Sequence, residues 1–311
     1  MVNAQTWLDQ NYPREGECIR ETEDEGNDRK EGWNNEGKKR AEIIKLDISS
    51  QELEGDLELK GFANLEILDC FYNKNITVLK IIGSSKLRHL DCSNNKITEL
   101  DVSVFPELEI LHCSDNLLTS LDLSKNEKLK DLKISDNNFP TQDLSFLSHL
   151  VNLEGLQVGN IMHWENSDPS LYNHFSGSLE PLKNLTKLEM LEIANTDIDS
   201  GLEHLPDSLT SFDCLANKRE DAKVKKLETE LKKFGEVGED ENFVHLLEQW
   251  KRERKIEKLA EEVQELQKST KNLFTLSFSL LAILAIANLV LLSKSGKDKN
   301  QPIRHWNKSL T

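Results

Sequence analysis

Cysteine, histidine and carboxylate side chains hold the reactive chemistry of this 311-residue chain, and they recur at regular distances. Cys70, Cys92 and Cys113 are 22 and 21 residues apart, and Cys214 stands in the same local pattern. A thiolate is a good zinc ligand, but one thiol per stretch of this length does not supply tetrahedral geometry. A buried free thiol packs instead as a small hydrophobe, so these cysteines are assigned to a core. His163, Glu165 and His174 offer a second set of ligand types, without a tight ligand spacing. No metal or other cofactor is expected. The sequence holds no phosphate-cradling glycine loop, no nucleophile elbow and no metal-protease helix. Cysteines on a core side are badly sited to attack a substrate, so a non-enzymatic role is expected.

The elements that position these residues are repeats. Leu65-x-x-Leu68-x-Cys70-x-x-Asn73 returns as Leu87-x-x-Leu90-x-Cys92-x-x-Asn95, as Leu108-x-x-Leu111-x-Cys113-x-x-Asn116 and as Leu129-x-x-Leu132-x-Ile134-x-x-Asn137. Ile43-x-x-Leu46-x-Ile48 opens the series and Leu209-x-x-Phe212-x-Cys214-x-x-Asn217 closes it. Between them lie Leu153-x-x-Leu156-x-Val158 and Leu188-x-x-Leu191-x-Ile193, where the asparagine is displaced or replaced by Thr196, making eight copies. Each Leu-x-Leu or Leu-x-Cys step predicts a short strand whose alternate residues point inward. One copy cannot bury its apolar side alone, whereas stacked neighbours bury a continuous core. Asn73, Asn95, Asn116 and Asn137 are expected inside the turns, satisfying backbone groups of adjacent coils.

This motif resembles the leucine-rich repeat, L-x-x-L-x-L-x-x-N/C-x-L over 20–29 residues, and the resemblance covers about 43–217. AQTWLDQNYP, GSLEPLKNLTKLEMLEIANTDIDSGLEHLPDSL and DAKVKK are similar to pieces of an expanded set of intracellular-type repeat proteins. The acidic insert at about 15–37 departs from that set and is expected to form a loop. The resemblance implies an α/β solenoid, a curved array with a parallel β-sheet on its concave face, acting as a binding scaffold.

On that face stand the residues between the inward pairs: Asp47, Asp69, Asp91, His112, Lys133, Gln157, Glu192 and Asp213. Flanking columns add Phe71, His89 and Asp131. Strands about 4.8 Å apart would bring Asp47, Asp69 and Asp91 into a ladder of like charges, which should raise their pKa values. Two readings stay open, a solvated face and a groove for a basic or polar peptide. A second candidate is the 35-residue step from Leu153 to Leu188. An over-long repeat loops out, often on the binding side. Its Trp164, Tyr172, His174 and Phe175 are anchors if exposed and a self-packed cluster if not.

The chain carries 39 basic and 55 acidic residues, a net −16, and residues 42–217 alone hold 13 and 30, a net −17. Such acidity argues against nucleic acid as a partner. Beyond Ala222 the spacing becomes helical. A cap is expected over 222–234, and a stalk or weak coiled coil over 243–271, with Ile256, Leu259, Val263 and Leu266 as a seam for self-association. Residues 273–292 form an uncharged run of 20, long enough as a helix to cross a hydrocarbon core of ~30 Å. The expected organisation is therefore an N-terminal helix or cap with a disordered acidic insert (1–41), repeats (42–217), a helical cap and stalk (218–271), a transmembrane helix (273–292) and a basic tail (293–311). Only 19 residues follow the run, which suggests a tail anchor with the repeats in the cytosol. The five basic residues among those 19 point the other way under the positive-inside rule, towards a cell-surface receptor-like protein. The functional expectation is a membrane-tethered interaction scaffold, with that receptor as the alternative.

Overall fold

A residue repeated once per coil can stack on itself only if the coils share one register, and the backbone pairing meets that condition without a slip. The computed structural model describes residues 2–20, 33–160, 172–237 and 241–295, apart from the side chains of 273–278 and 287–295. Eight three-residue strands form one parallel sheet: β1 (Lys45–Asp47), β2 (Ile67–Asp69), β3 (His89–Asp91), β4 (Ile110–His112), β5 (Asp131–Lys133), β6 (Gly155–Gln157), β7 (Met190–Glu192) and β8 (Ser211–Asp213). Their order in the sheet is their order in the chain. Leu46, Leu68, Leu90, Leu111, Leu132, Leu156, Leu191 and Phe212 are aligned across it, all buried. Two positions on, Ile48, Cys70, Cys92, Cys113, Ile134, Val158, Ile193 and Cys214 make a second buried row. All five cysteines are free and buried. Burial pushes the thiols of Cys70, Cys92, Cys113 and Cys214 well up, which keeps them protonated and unreactive.

The asparagines join neighbouring coils. The Asn73 amide donates to the carbonyls of Ile48 and Cys70 at 3.0 and 2.9 Å, one in each of two adjacent coils. Asn95 donates to Cys70 and Cys92, Asn116 to Cys92 and Cys113, and Asn137 to Cys113 and Ile134, all within 3.2 Å. In the other direction, the Asn116 and Asn137 side-chain oxygens accept from the amides of Ile97 and Leu118.

The long step keeps this ladder running. Asn173 donates to the carbonyls of Ile134 and Val158 at 2.8 and 3.2 Å, the place a ladder asparagine of the sixth coil would take. Its backbone is clamped by Asn160, whose side chain accepts from the Asn173 amide at 2.7 Å and donates to its carbonyl at 3.1 Å. Residues 161–171, which carry Trp164, lie outside the described residues. In the seventh coil the Thr196 hydroxyl donates to the Ile193 carbonyl of its own coil.

Two strand sets were not expected. On the return legs, Leu53–Lys60 and Asn75–Ile82 pair in parallel with each other and, at one edge, with Val2–Asn3. Ser176–Ser178 pairs with Asp197–Ser200. The alternation of buried Leu57 and Leu59 with the more exposed Glu58 and Lys60 is the period-2 signal for the first, but it is only four residues long.

Both ends of the array are closed. At the N-terminus, α1 (Ala4–Asn11) starts on Asn3, whose side chain accepts from the Thr6 amide. It buries Ala4 and Leu8, with Tyr12 beyond it. The buried Arg40 holds it through the Tyr12 and Lys60 carbonyls and Asp9, at 2.6, 3.0 and 2.6 Å. At the other end lie α2 (Lys225–Leu231) and the start of α3 (Val244–Ser295). Asn242 and Phe243 cover the free edge of β8: the Phe212 amide donates to the Asn242 side chain, and the Phe243 amide to the Phe212 carbonyl. Phe243, Leu246 and Trp250 are buried in the core. These three residues had been placed in the stalk, and the structure puts them in the cap, because the exposed edge strand and end leucines need covering.

The chain divides into two compact units, Met1–Trp250 and Lys251–Thr311. In the second, Ile256, Leu259, Val263 and Leu266 are exposed. Among the described residues no helix is long and apolar enough to cross a membrane, so the membrane span is not supported. The run 273–292 is helical, and much of it lies among the side chains not described.

Asn116→Ala and Asn173→Ala are each expected to lower the unfolding free energy by ~1–3 kcal/mol through unpaired buried carbonyls, read by denaturant titration. Replacing 161–171 with a short Gly-Ser linker is expected to leave stability nearly unchanged, because loop-closure entropy varies slowly with length. A negligible effect of Asn173→Ala would mean that the ladder stops at Asn137.

Candidate functional site

Because strand residues alternate between faces, register fixes what the open face of the sheet presents. Asp47, Asp69, Asp91, His112, Lys133, Gln157, Glu192 and Asp213 occupy one row. Lys45, His89, Asp131 and Met190 fall in the row two residues earlier. Several of the carboxylates also end their own strands. Asp47 accepts from the Ser49 amide and hydroxyl, Asp91 from the Ser93 amide, and Asp213 from the Leu215 amide. The same Asp-x-Ser turn recurs at Asp101, Asp122 and Asp143 on the return legs. Such a local turn gives an aspartate a structural reason to be there, and the sequence reading missed the motif.

The expected ladder of mutually repelling aspartates is not what forms. Imidazoles stand among them. His89 Nε2 lies 3.4 Å from Asp69 Oδ1. His112 Nε2 is 2.7 Å from Asp131 Oδ2, and its Nδ1 is 3.7 Å from Asp91 Oδ2. The two rings meet edge-on with centroids 6.0 Å apart. Burial pushes the Asp91 carboxyl up, but hydrogen bonds from His112 and Ser93 outweigh it, and the net displacement is downward. Burial likewise pulls His112 down, and its bonds to Asp131 and Asp91 outweigh that, so its pKa is raised. The correction has a simple cause: opposite charge, one strand away, wins over like charge. Asp69, His89, Asp91, His112 and Asp131 thus form one cluster over β2–β5, with Lys133 beside it and the half-exposed Phe71 one strand end away. Among the described residues no group of three or more His, Cys, Asp or Glu is placed to hold a metal ion.

The C-terminal half of the face is different. Glu192 is buried, and its side chain crosses the sixth coil to reach Ser135, two residues beyond β5. One carboxylate oxygen accepts from the Ala194 amide at 2.8 Å, and the other lies 3.1 Å from the Ser135 hydroxyl. The crossing needs Gly159, where a Cβ would sit 2.0 Å from Glu192 Oε1. Burial, helped by the charge of Asp213, pushes the Glu192 carboxyl up to about 8. Asp213 is pushed up to about 6 by burial and by Glu241 and Glu228, against the bond from Leu215. Glu192 is therefore a neutral, enclosed group at neutral pH and no part of a charged surface. Among the described residues, the Gln157 side chain reaches only the Met190 sulfur, at 3.9 Å.

The aromatic candidates separate in the same way. Phe175 is fully buried and packs on Phe139 and Phe146, with centroids 5.3 and 5.8 Å apart. As an exposed anchor it is a correction: Phe175 packs into the core against Phe139 and Phe146. Tyr172 and His174 stay half-buried and stack at 4.1 Å, and the Arg219 guanidinium lies 4.1 Å over the Tyr172 ring. Arg219 also donates to the Asn195 carbonyl and to Asp197, a latch at the loop's root that sequence spacing could not show.

With coil, sheet and ladder in place, a family model for leucine-rich repeats (2 copies) matches residues 85–126. These are leucine-rich repeats. No curated protein matches the chain. Solved structures similar to it include the functional domain of InlJ from Listeria monocytogenes, described as including a cysteine ladder, at 30% identity and a TM-score of 0.42. That match covers 54% of this chain and 33% of that one. A Leptospira interrogans LRR protein is 19% identical, covering 60% and 52% with a TM-score of 0.45. The LRR ectodomain of the Arabidopsis receptor kinase HAESA, in complex with an IDA peptide hormone, is 22% identical, covering 50% and 29% with a TM-score of 0.40. The chain thus spans a third of the InlJ chain and about half of the Leptospira one.

Folding takes up a proton at Glu192, whose pKa rises from its ordinary 4.5 to about 8. The associated stability is complete below about pH 4.5 and is lost as pH rises towards 8; the part owed to Asp213 is gone by about pH 6. Thermal midpoints taken from pH 5 to 8.5 are expected to fall for the parent and to flatten for Glu192→Gln, while Gly159→Ala lowers them throughout. A Glu192→Gln profile as steep as the parent's would contradict the assignment.

Proposed function

We propose that this leucine-rich-repeat chain is a non-enzymatic interaction scaffold that receives a basic or polar peptide segment on the open sheet face over β2–β5. One observation carries the reading: carboxylates and imidazoles from four consecutive strands lie side by side in a single cluster, on a surface of stacked, register-matched coils. Interaction through proteins is the role the repeat fold indicates. The choice of a basic segment rests on charge, since Asp47, Asp69, Asp91 and Asp131 outnumber Lys45 and Lys133, the fixed cations of the same two rows. Tyr172 and His174 border the loop 161–171, which supplies a second contact region in this reading, together with Trp164. Nucleic acid is disfavoured by the −16 net charge.

A membrane tether is the finer part of the proposal. In support, Leu280, Leu281, Ile283, Leu284 and Ile286 are all exposed on α3. At 100° per residue they spread over roughly 220° of the helix, wider than the single apolar stripe by which a helix packs on one protein face. The run 273–292 adds no charge to interrupt it.

Binding of arrayed basic peptides is expected to weaken on Asp131→Lys and Asp91→Asn, and to weaken with added salt. It should strengthen as pH rises through the raised pKa of His112, because the imidazole then loses its positive charge; His112→Gln should blunt that dependence. Unchanged peptide capture by the Asp131→Lys, Asp91→Asn double variant would refute the site. For the tether, the full chain is expected to stay in the membrane pellet after alkaline carbonate washing, and a chain ending at 272 to be released. Release of both would remove the tether and leave the peptide site standing.

A further inference from the structure

The apolar spacing on α3 changes phase, and the change coincides with a change in what the side chains touch. Phe243, Leu246 and Trp250 are buried against their own repeats. Ile256, Leu259, Val263 and Leu266 step by 3, 4 and 3 on a helix face that is one residue out of heptad register with them. These four are 59, 52, 50 and 66% exposed. The intervening residues other than Ala260, namely Glu257, Lys258, Glu261, Glu262, Gln264 and Glu265, are polar. A helix in water does not gain by exposing a regular row of large aliphatic side chains, so the row has the form of an interface.

We infer that residues 256–266 form a parallel, two-stranded coiled coil with a second copy of this chain. Residue type selects the number of strands. In heptad positions, Ile256 and Val263 are a, and Leu259 and Leu266 are d; β-branched residues at a with leucine at d favour two strands. Flanking charge selects the direction. In a parallel pair Lys255 faces Ala260 and Glu262 faces Gln267 of the other copy, with no like charges opposed. In an antiparallel pair of the same four layers, Glu262 would face its own counterpart, and like charges in close apposition are unfavourable. The dimer presents two repeat arrays from one stalk, so a partner with two binding segments gains by effective concentration. The inference stands independently of the peptide site and of the tether.

The test uses the full chain in mild detergent, with the mass of the protein component measured by light scattering. Twice the chain mass is expected for the parent, and the single-chain mass for Ile256→Asp, Val263→Asp. The repeats' thermal midpoint should not move, since both positions are exposed and outside the first unit. Direction is read by oxidation. All five native cysteines are buried, so an added one reports alone. Leu259→Cys is expected to form an interchain disulfide and Glu261→Cys, on the opposite face, is not. A single-chain mass for the parent overturns the inference. So does an antiparallel pair, recognised if Leu259→Cys fails alone but crosslinks when mixed with Val263→Cys.

Discussion

The architecture depends on one recurring side-chain amide. A stack of coils leaves carbonyls inside its turns that water cannot reach, and a buried carbonyl without a donor costs about as much as a lost hydrogen bond. Asn73, Asn95, Asn116, Asn137 and Asn173 each supply two N–H bonds to two coils at once. Leucine rows provide most of the burial, yet leucine is indifferent to a slip along its own column. The amide is not, because its donors must meet a carbonyl on each side. Register follows from the polar ladder, and the open face inherits its order from that register.

This explains which parts of the molecule could be read from sequence. Rows that face inward are constrained by burial, so their period survives as spacing: all eight strands, both apolar rows and the structural role of the asparagines were legible. Asn173 was not, because the ladder counts coils in space while a sequence counts residues, and 161–171 intervene. Side chains on the open face were correctly placed in columns but not in chemistry. The aspartates were read along one row, whereas His89 and Asp131 come from the adjacent row and His112 bridges the two. Nor could spacing show that Glu192 leaves its column by crossing over Gly159, since that depends on a missing Cβ in the coil that separates Glu192 from Ser135. Phe175 was misread for a related reason: a loop is polar and outward by composition, but its returning arm belongs to the core.

Electrostatics divide the open face into two unlike halves. Towards the N-terminus, hydrogen bonds from His112 and Ser93 outweigh burial at Asp91 and hold its carboxyl below the usual carboxylate range. Towards the C-terminus, burial has neutralised Glu192 and partly neutralised Asp213. An acidic composition alone would have predicted a uniform face. The cap at Phe243–Trp250 adds to the contrast by closing the last strand, so the charged half is also the half farther from the helical segment along the chain.

Arg40 imposes an order of events on the N-terminal end. Its three acceptors belong to Asp9, Tyr12 and Lys60, and Val2 pairs with Leu53. The α1 helix therefore has no complete seat until the chain has been made through Lys60. During synthesis, α1 must wait for the later Leu53–Lys60 segment before it can lock, and this end of the array is sealed behind the growing chain rather than ahead of it.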